Sequence, residues 1–135
     1  MRMDGSISAF DRWHTVMAQG TTDGLWELLH EDCIFWSPVV HTPQRGKQIS
    51  FAYLSAAHQV FNTDFRYVRE VIEGNVGILE FECMMDDIAI NGVDMITCEG
   101  DQIIEFKVMI RPLKAVNKVH QKMMAMLEQM KAMAS

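Results

Sequence analysis

Four stretches of β-type residues, 65–72, 77–85, 88–98 and 103–110, follow one another with almost nothing between them. The breaks are Glu73-Gly74-Asn75, Asp86-Asp87 and Glu99-Gly100-Asp101-Gln102. A parallel crossover needs a dozen or more residues, so connections this short join antiparallel neighbours. The centre of the chain is therefore a meander of long strands, and Pro112 stops the last one. Its faces are informative. In the second stretch Leu79, Phe81, Cys83 and Met85 alternate with Ile78, Glu80, Glu82 and Met84. In the last, Ile104, Phe106, Val108 and Ile110 line one face while Ile103 and Met109 sit on the other. Neither face is cleanly polar, so both need cover. Helices supply one layer, and a second copy of the chain is expected on the outer face, because 135 residues cannot wrap both sides.

Helical spacing flanks the meander. Ile7, Phe10, His14 and Met17 recur on one stripe with Trp13 beside them, Ser6 stands as the N-cap, and Gly20 closes the segment. Thr22-Asp23 opens a short helix with Leu25, Trp26, Leu28 and Leu29. Cys33-Ile34-Phe35-Trp36 is a short strand, and residues 51–61 return to helical spacing through Tyr53, Leu54, Ala57, His58 and Phe61. From 113 to 133 an amphipathic helix carries Leu113, Val116, His120, Met123, Leu127 and Met130 on one seam, widened by Met124, Met126 and Met133. Methionine fills irregular gaps, so this stripe reads as core or dimer packing rather than a binding groove. The whole reads as one α+β domain spanning 1–135, with helices on one face of the sheet.

Composition narrows the function classes. Eighteen acids against twelve bases give a formal charge of −6 with no basic stripe, which argues against nucleic acid as a partner. No apolar run approaches a membrane span and the start is polar, so a cytoplasmic protein is expected. Cys33, Cys83 and Cys98 are odd in number and never spaced CxxC; they read as reduced thiols packed as small hydrophobes. The five histidines show neither HxH nor HxxxH spacing, and no GxGxxG, P-loop or GxSxG occurs. No metal or other cofactor is expected.

The segments Gly92-Val93-Asp94-Met95-Ile96, Gly100-Asp101-Gln102-Ile103-Ile104-Glu105 and Met109-Ile110-Arg111-Pro112-Leu113, with Phe35-Trp36-Ser37-Pro38-Val39 and Gly46, resemble the nuclear transport factor 2-like superfamily in its SnoaL-like polyketide cyclase branch. The similarity runs from about residue 10 to 113. It implies a cone: a curved antiparallel sheet around an apolar pocket that N-terminal helices close, dimeric through the sheet's outer face. Such proteins include isomerases, cyclases, hydrolases, dehydratases and binders without chemistry, so the fold does not decide the activity. Many SnoaL-like enzymes have a histidine after the glutamate equivalent to Glu105; this chain has Phe106 there, which departs from a His-Asp cyclase.

Among polar residues Asp94 stands first. If Asp86-Asp87 is a two-residue turn, Asp94 lies opposite Leu79 with Phe81 diagonal, where a carboxyl holds its proton to higher pH and works as an acid or base. The alternative is an ion pair with Lys107, opposite Asp94 if the next turn is Gly100-Asp101. A one-residue bulge would change either count. His14, on the apolar stripe of the first helix, is either a core histidine or a proton carrier facing Asp94. Trp13, Trp26, Trp36 and Tyr53 are pocket walls or ordinary core. Arg111 either reaches a ligand oxygen or tethers Glu105 or the chain ends. Glu80 and Glu82 read as a solvated or interface face. The leading expectation is a cofactor-independent enzyme on a small hydrophobic molecule, with Asp94 and His14 catalytic and Trp13, Trp36, Tyr53 and Arg111 at the substrate. A non-catalytic dimeric binder of a small apolar ligand is the second.

Overall fold

The computed structural model describes residues 8–134, the side chains of 133 and 134 excepted; the expectations for Ser6 and Ile7 and the side chain of Met133 lie outside that range. Helices α1 (Ala9–Ala18) and α2 (Leu25–Leu28) precede strand β1 (Leu29–Trp36), the two-residue β2 (Gln44–Arg45) and α3 (Lys47–Val60). Strands β3 (Thr63–Glu73), β4 (Val76–Met85), β5 (Ile88–Glu99) and β6 (Gln102–Arg111) follow, then α4 (Leu113–Ala134). The six strands form one curved, unclosed sheet in the order β2-β1-β6-β5-β4-β3. All pairs are antiparallel except β1 with β6, which run parallel, so the sheet is mixed rather than wholly antiparallel. This is an α+β arrangement, a curved sheet with helices before, within and after its strands in the chain.

The meander forms as its turns require. Asp86 adopts φ 56° and Gly74 and Gly100 φ 59° and 64°, the left-handed backbone that tight turns need. Lys118 and Lys122 of α4 reach the Asp86 carboxylate at 3.2 and 3.3 Å, so the helix fastens onto the β4–β5 turn. From that turn, Met85 faces Ile88 and Asp94 faces Leu79, as counted from the sequence. The next hairpin departs from its count. Cys98 pairs with Ile103 but Thr97 pairs with Glu105, leaving Ile104 as a bulge residue. Asp94 therefore lies opposite Val108, and Lys107 opposite Met95. The bulge also turns Ile103, fully buried, to the same face as Phe106 and Val108, where the sequence pattern had placed Ile104.

Helix α1 starts two residues later than its expected cap, with the Ser8 hydroxyl accepting from the Asp11 amide at 3.1 Å. It ends on Gln19 rather than Gly20. Its buried stripe is Phe10, Trp13 and Val16, which moves His14 to a half-exposed flank. In α4 the first two turns bury Ala115 and Val119, while Leu113 and His120 face solvent; from Met123 onward Leu127 and Met130 join the core as expected. On the concave side of the sheet the rings of Phe35, Phe81 and Phe106 are almost wholly buried, and Phe106 meets Trp13 edge-on at 4.8 Å. Each such side chain contributes about 1.5–3 kcal/mol by leaving water. On the convex side Val71, Met109 and Ile78 remain 58%, 53% and 38% exposed in the single chain.

Candidate active site

Alternation along β5 turns Ile90, Gly92, Asp94, Ile96 and Cys98 into the concave face. Asp94 is thereby the only buried charged side chain among the described residues. Its neighbours across the sheet are Leu79 and Val108, neither of which can compensate a charge. Among the described residues one polar group reaches it: the Tyr67 hydroxyl on β3 donates to Asp94 Oδ2 at 2.6 Å. Trp13 Nε1 on α1 in turn donates to the Tyr67 oxygen at 2.8 Å. An indole N–H can only donate, so Trp13 stands at the donor end of the chain indole → phenol → carboxyl.

Burial pushes the Asp94 carboxyl up to about 7, against the opposing pull of the Tyr67 hydrogen bond. Burial and the adjacent carboxylate also drive Tyr67 well above its ordinary value, so the phenol keeps its proton. Asp94 thus changes charge near neutral pH beside a donor that does not. A group so tuned can give or take a proton.

The carboxyl opens on a small chamber of about 30 Å³, walled by Trp13, Leu54, Phe81, Phe106 and Val108. That is room for about one water molecule. The chamber adjoins a vestibule of about 500 Å³ between the end of α1 and α3, the two sharing Met17, His58, Phe61 and Phe65. Gln19, Gln59, Asn62 and Asp64 make the vestibule's rim polar. The vestibule is of small-ligand size, and the four shared side chains stand between it and the chamber that holds Asp94.

The other expected residues are dispersed. Trp13 lines the chamber, while His14 turns from Asp94: its Nε2 meets Glu70 Oε1 at 2.8 Å and its ring stands edge-on to Tyr67. Trp36 lies on the convex face, where Nε1 donates to Glu105 Oε2 at 2.9 Å and the Lys107 ammonium covers the ring at 4.8 Å. That contact, with the bulge, removes the alternative of an Asp94–Lys107 ion pair. Trp26 is 42% exposed beneath Lys47. Tyr53 packs on Phe35 at 5.4 Å, behind the chamber wall. Arg111 is also on the convex side, donating to Asn91 Oδ1 at 3.4 Å beside an apolar groove of Val71, Ile78, Val93 and Met109; it tethers neither Glu105 nor a ligand in the chamber.

Two residues that the sequence reading did not single out belong to the site. Tyr67 is one. His58 is the other, a wall of both chamber and vestibule. The three cysteines are buried and unpaired, their thiols raised to about 11 by burial, which suits packing and not nucleophilic attack. Among the described residues no cluster of three His, Cys, Asp or Glu side chains could hold a metal ion. No helix among them is long and apolar enough to cross a membrane.

Comparison with known proteins agrees with the fold. A family model described as a SnoaL-like domain matches residues 10–106. A crystal structure of a steroid delta-isomerase from Pseudomonas aeruginosa superimposes with a TM-score of 0.87 at 31% identity, covering 92% of each chain. An uncharacterized protein with a cystatin-like fold from Silicibacter pomeroyi DSS-3 gives 0.80 at 36% identity, over 87% of this chain and 83% of that one. An NTF2-like protein of unknown function from Mesorhizobium loti, 18% identical with a TM-score of 0.67 over 77% of this chain and 88% of that one, shares the fold. Comparison with curated proteins gives no match.

Proposed function

Because the chain belongs to the SnoaL-like domain family, we propose that it is a cofactor-independent enzyme acting on a small hydrophobic carbonyl compound by proton transfer through Asp94. The observation that carries this reading is the carboxyl itself: buried, raised to about 7, held by one phenol, and open to an apolar chamber. Ionised Asp94 takes a proton from the carbon next to a carbonyl and returns it elsewhere on the substrate. Tyr67 steadies the ionised form, and apolar walls keep competing water away. The likeness to a steroid delta-isomerase supports testing double-bond isomerisation first.

The test is turnover of β,γ-unsaturated cyclic ketones, followed by the ultraviolet absorbance of the conjugated product. We expect kcat/KM to rise with pH through an apparent pKa near 7, and Asp94→Asn to lose on the order of 10²–10⁴ in rate. No turnover, or turnover indifferent to Asp94→Asn, sinks the reading. A second reading, a binder without chemistry, is favoured by the chamber's size of about 30 Å³; it predicts saturable ligand binding with no product.

We further propose that a second copy covers the convex face, where Val71, Ile78 and Met109 stand exposed. Sedimentation at micromolar concentration should report a dimer, and Val71→Asp a monomer. A wild-type monomer there removes this part of the proposal.

A further inference from the structure

His58 sits on α3 with its Nδ1 fully buried and without a hydrogen-bond partner among the described residues. The ring also meets the Gln19 backbone carbonyl at the end of α1, and we assign the donated proton to Nε2 because Nδ1 has no partner among the described residues. Burial pulls the imidazole below its ordinary value, so the ring is neutral near pH 7 and Nδ1 is a lone pair. Buried acceptors are nearly always met by a donor, and an unmet one at a functional cavity asks for its partner. Among the described residues nothing supplies it. The residue walls the chamber that also holds Asp94, and it stands where that chamber opens to the vestibule.

We propose that His58 is a ligand-orienting residue of this site, whose Nδ1 accepts a hydrogen bond from the bound molecule, so that the pocket selects apolar compounds bearing a hydroxyl. The inference rests on the site being a ligand pocket, as proposed above, and adds the class of molecule. The remaining chamber wall is apolar, from Trp13, Leu54, Phe81, Phe106 and Val108, so Asp94 and His58 are its two polar contacts. Protonated Asp94 donates and His58 accepts. A molecule that satisfies both has one acceptor oxygen and one hydroxyl on an apolar body, as in a small hydroxy-ketone or an enol. A ketone without the hydroxyl leaves Nδ1 unmet, and sites built to pair a ligand hydroxyl discriminate strongly against analogues that lack it.

The probes are 2-naphthol and its methyl ether, 2-methoxynaphthalene, which share a body and differ in the donor. Titration calorimetry on the wild-type protein should give about tenfold or more tighter binding of the naphthol. In His58→Phe the ratio should fall to about one, and His58→Gln, which keeps an acceptor, should restore part of it. A measurement independent of any variant is the ¹⁵N resonance of His58 Nδ1, which should move on adding naphthol and not on adding the ether. Equal affinities, binding of neither probe, or a resonance indifferent to both overturns the proposal. Asp94-dependent turnover alongside equal affinities sinks this inference alone. A hydroxyl preference through His58 with no turnover of any ketone sinks the enzyme reading alone.

Discussion

On the convex face of β4, Glu80 and Glu82 stand two residues apart, each met by an arginine of β3: Arg69 lies 3.3 Å from Glu80, and Arg66 pairs with Glu82. One strand over and facing the other way, Asp94 meets a phenol and hydrocarbon. The groups are chemically alike and the sheet between them is one residue thick. What separates them is water. The glutamates keep solvent and a counter-charge, and long flexible partners gain little by holding them. Asp94 has neither, so its charge is deferred to about pH 7. The concave face is thus where a carboxyl becomes a tunable acid, and the convex face is where carboxylates keep a sheet soluble or pattern an interface.

The largest effect that comparison predicts is a pH-dependent stability carried by Asp94. In the unfolded chain the carboxyl ionises around 3.8, in the folded one around 7. Below 3.8 both states hold the proton and the contribution is fully present. As pH rises to about 7 the unfolded chain sheds its proton while the folded one retains it, so stability falls by about 4 kcal/mol and then levels off. Asp94→Asn removes that slope. Urea unfolding at pH 4 and pH 8 should find the variant near wild type at pH 4 and the more stable protein at pH 8. Equal slopes would mean that the concave face hydrates its carboxyl as the convex face does.

Next in size is Gly92→Ala, on the same concave row. An added Cβ would lie 2.5 Å from Phe81 Cζ and 2.8 Å from the Met109 carbonyl oxygen, so ring and backbone must both yield. A loss of about 2–3 kcal/mol is expected from overpacking, against a few tenths for Val71→Ala on the convex face of a monomer. Thermal unfolding distinguishes them. Smaller again is Tyr67→Phe, which strips Asp94 of its donor and Trp13 Nε1 of its acceptor for about 1–2 kcal/mol. Since the Tyr67 hydrogen bond lowers Asp94, its loss should move the carboxyl's titration above 7, readable by ¹³C NMR of the side-chain carbon. A downward move would show that burial is not what raises it.

How far these residues could be read beforehand follows the turns. Asp86-Asp87 closes a two-residue hairpin, and nothing between it and Asp94 disturbs the count, so the Asp94–Leu79 pairing was legible. The bulge at Ile104 contains no glycine or proline, and without it the count pairs Asp94 with Lys107. Tyr67 escaped for a related reason: its strand carries a second irregularity between Tyr67 and Arg69, so no alternating pattern assigns its face. Trp36 faces outward because β1 pairs parallel with β6, a long-range choice that β1's own residues do not encode. His58 did leave a signal, a histidine among Leu54, Ala57 and Phe61 at helical spacing. The same signal at His14 drew the catalytic expectation, but α1 buries Phe10, Trp13 and Val16 and so leaves His14 on the flank.

The smallest predicted effect bears on the convex face alone. Arg69 and Glu80 are 80% and 30% exposed in the single chain, and a solvated pair of that kind has a coupling of about 0.2–1 kcal/mol. A double-mutant cycle with Arg69→Ala and Glu80→Ala should return a value in that range at protein concentrations where the chain is monomeric. The groove beside them holds Val71, Ile78 and Met109, so a second copy seated there would take the same pair out of water. Coupling should then grow above about 1 kcal/mol as dimer forms and the desolvated charges depend on each other. A coupling that is concentration-independent and small would leave the convex face a solvent face, and the contrast with Asp94 would be one of water against no water. A coupling that grows would mean that both faces are dry in the assembly, and that what sets the glutamates apart from Asp94 is their arginine partners.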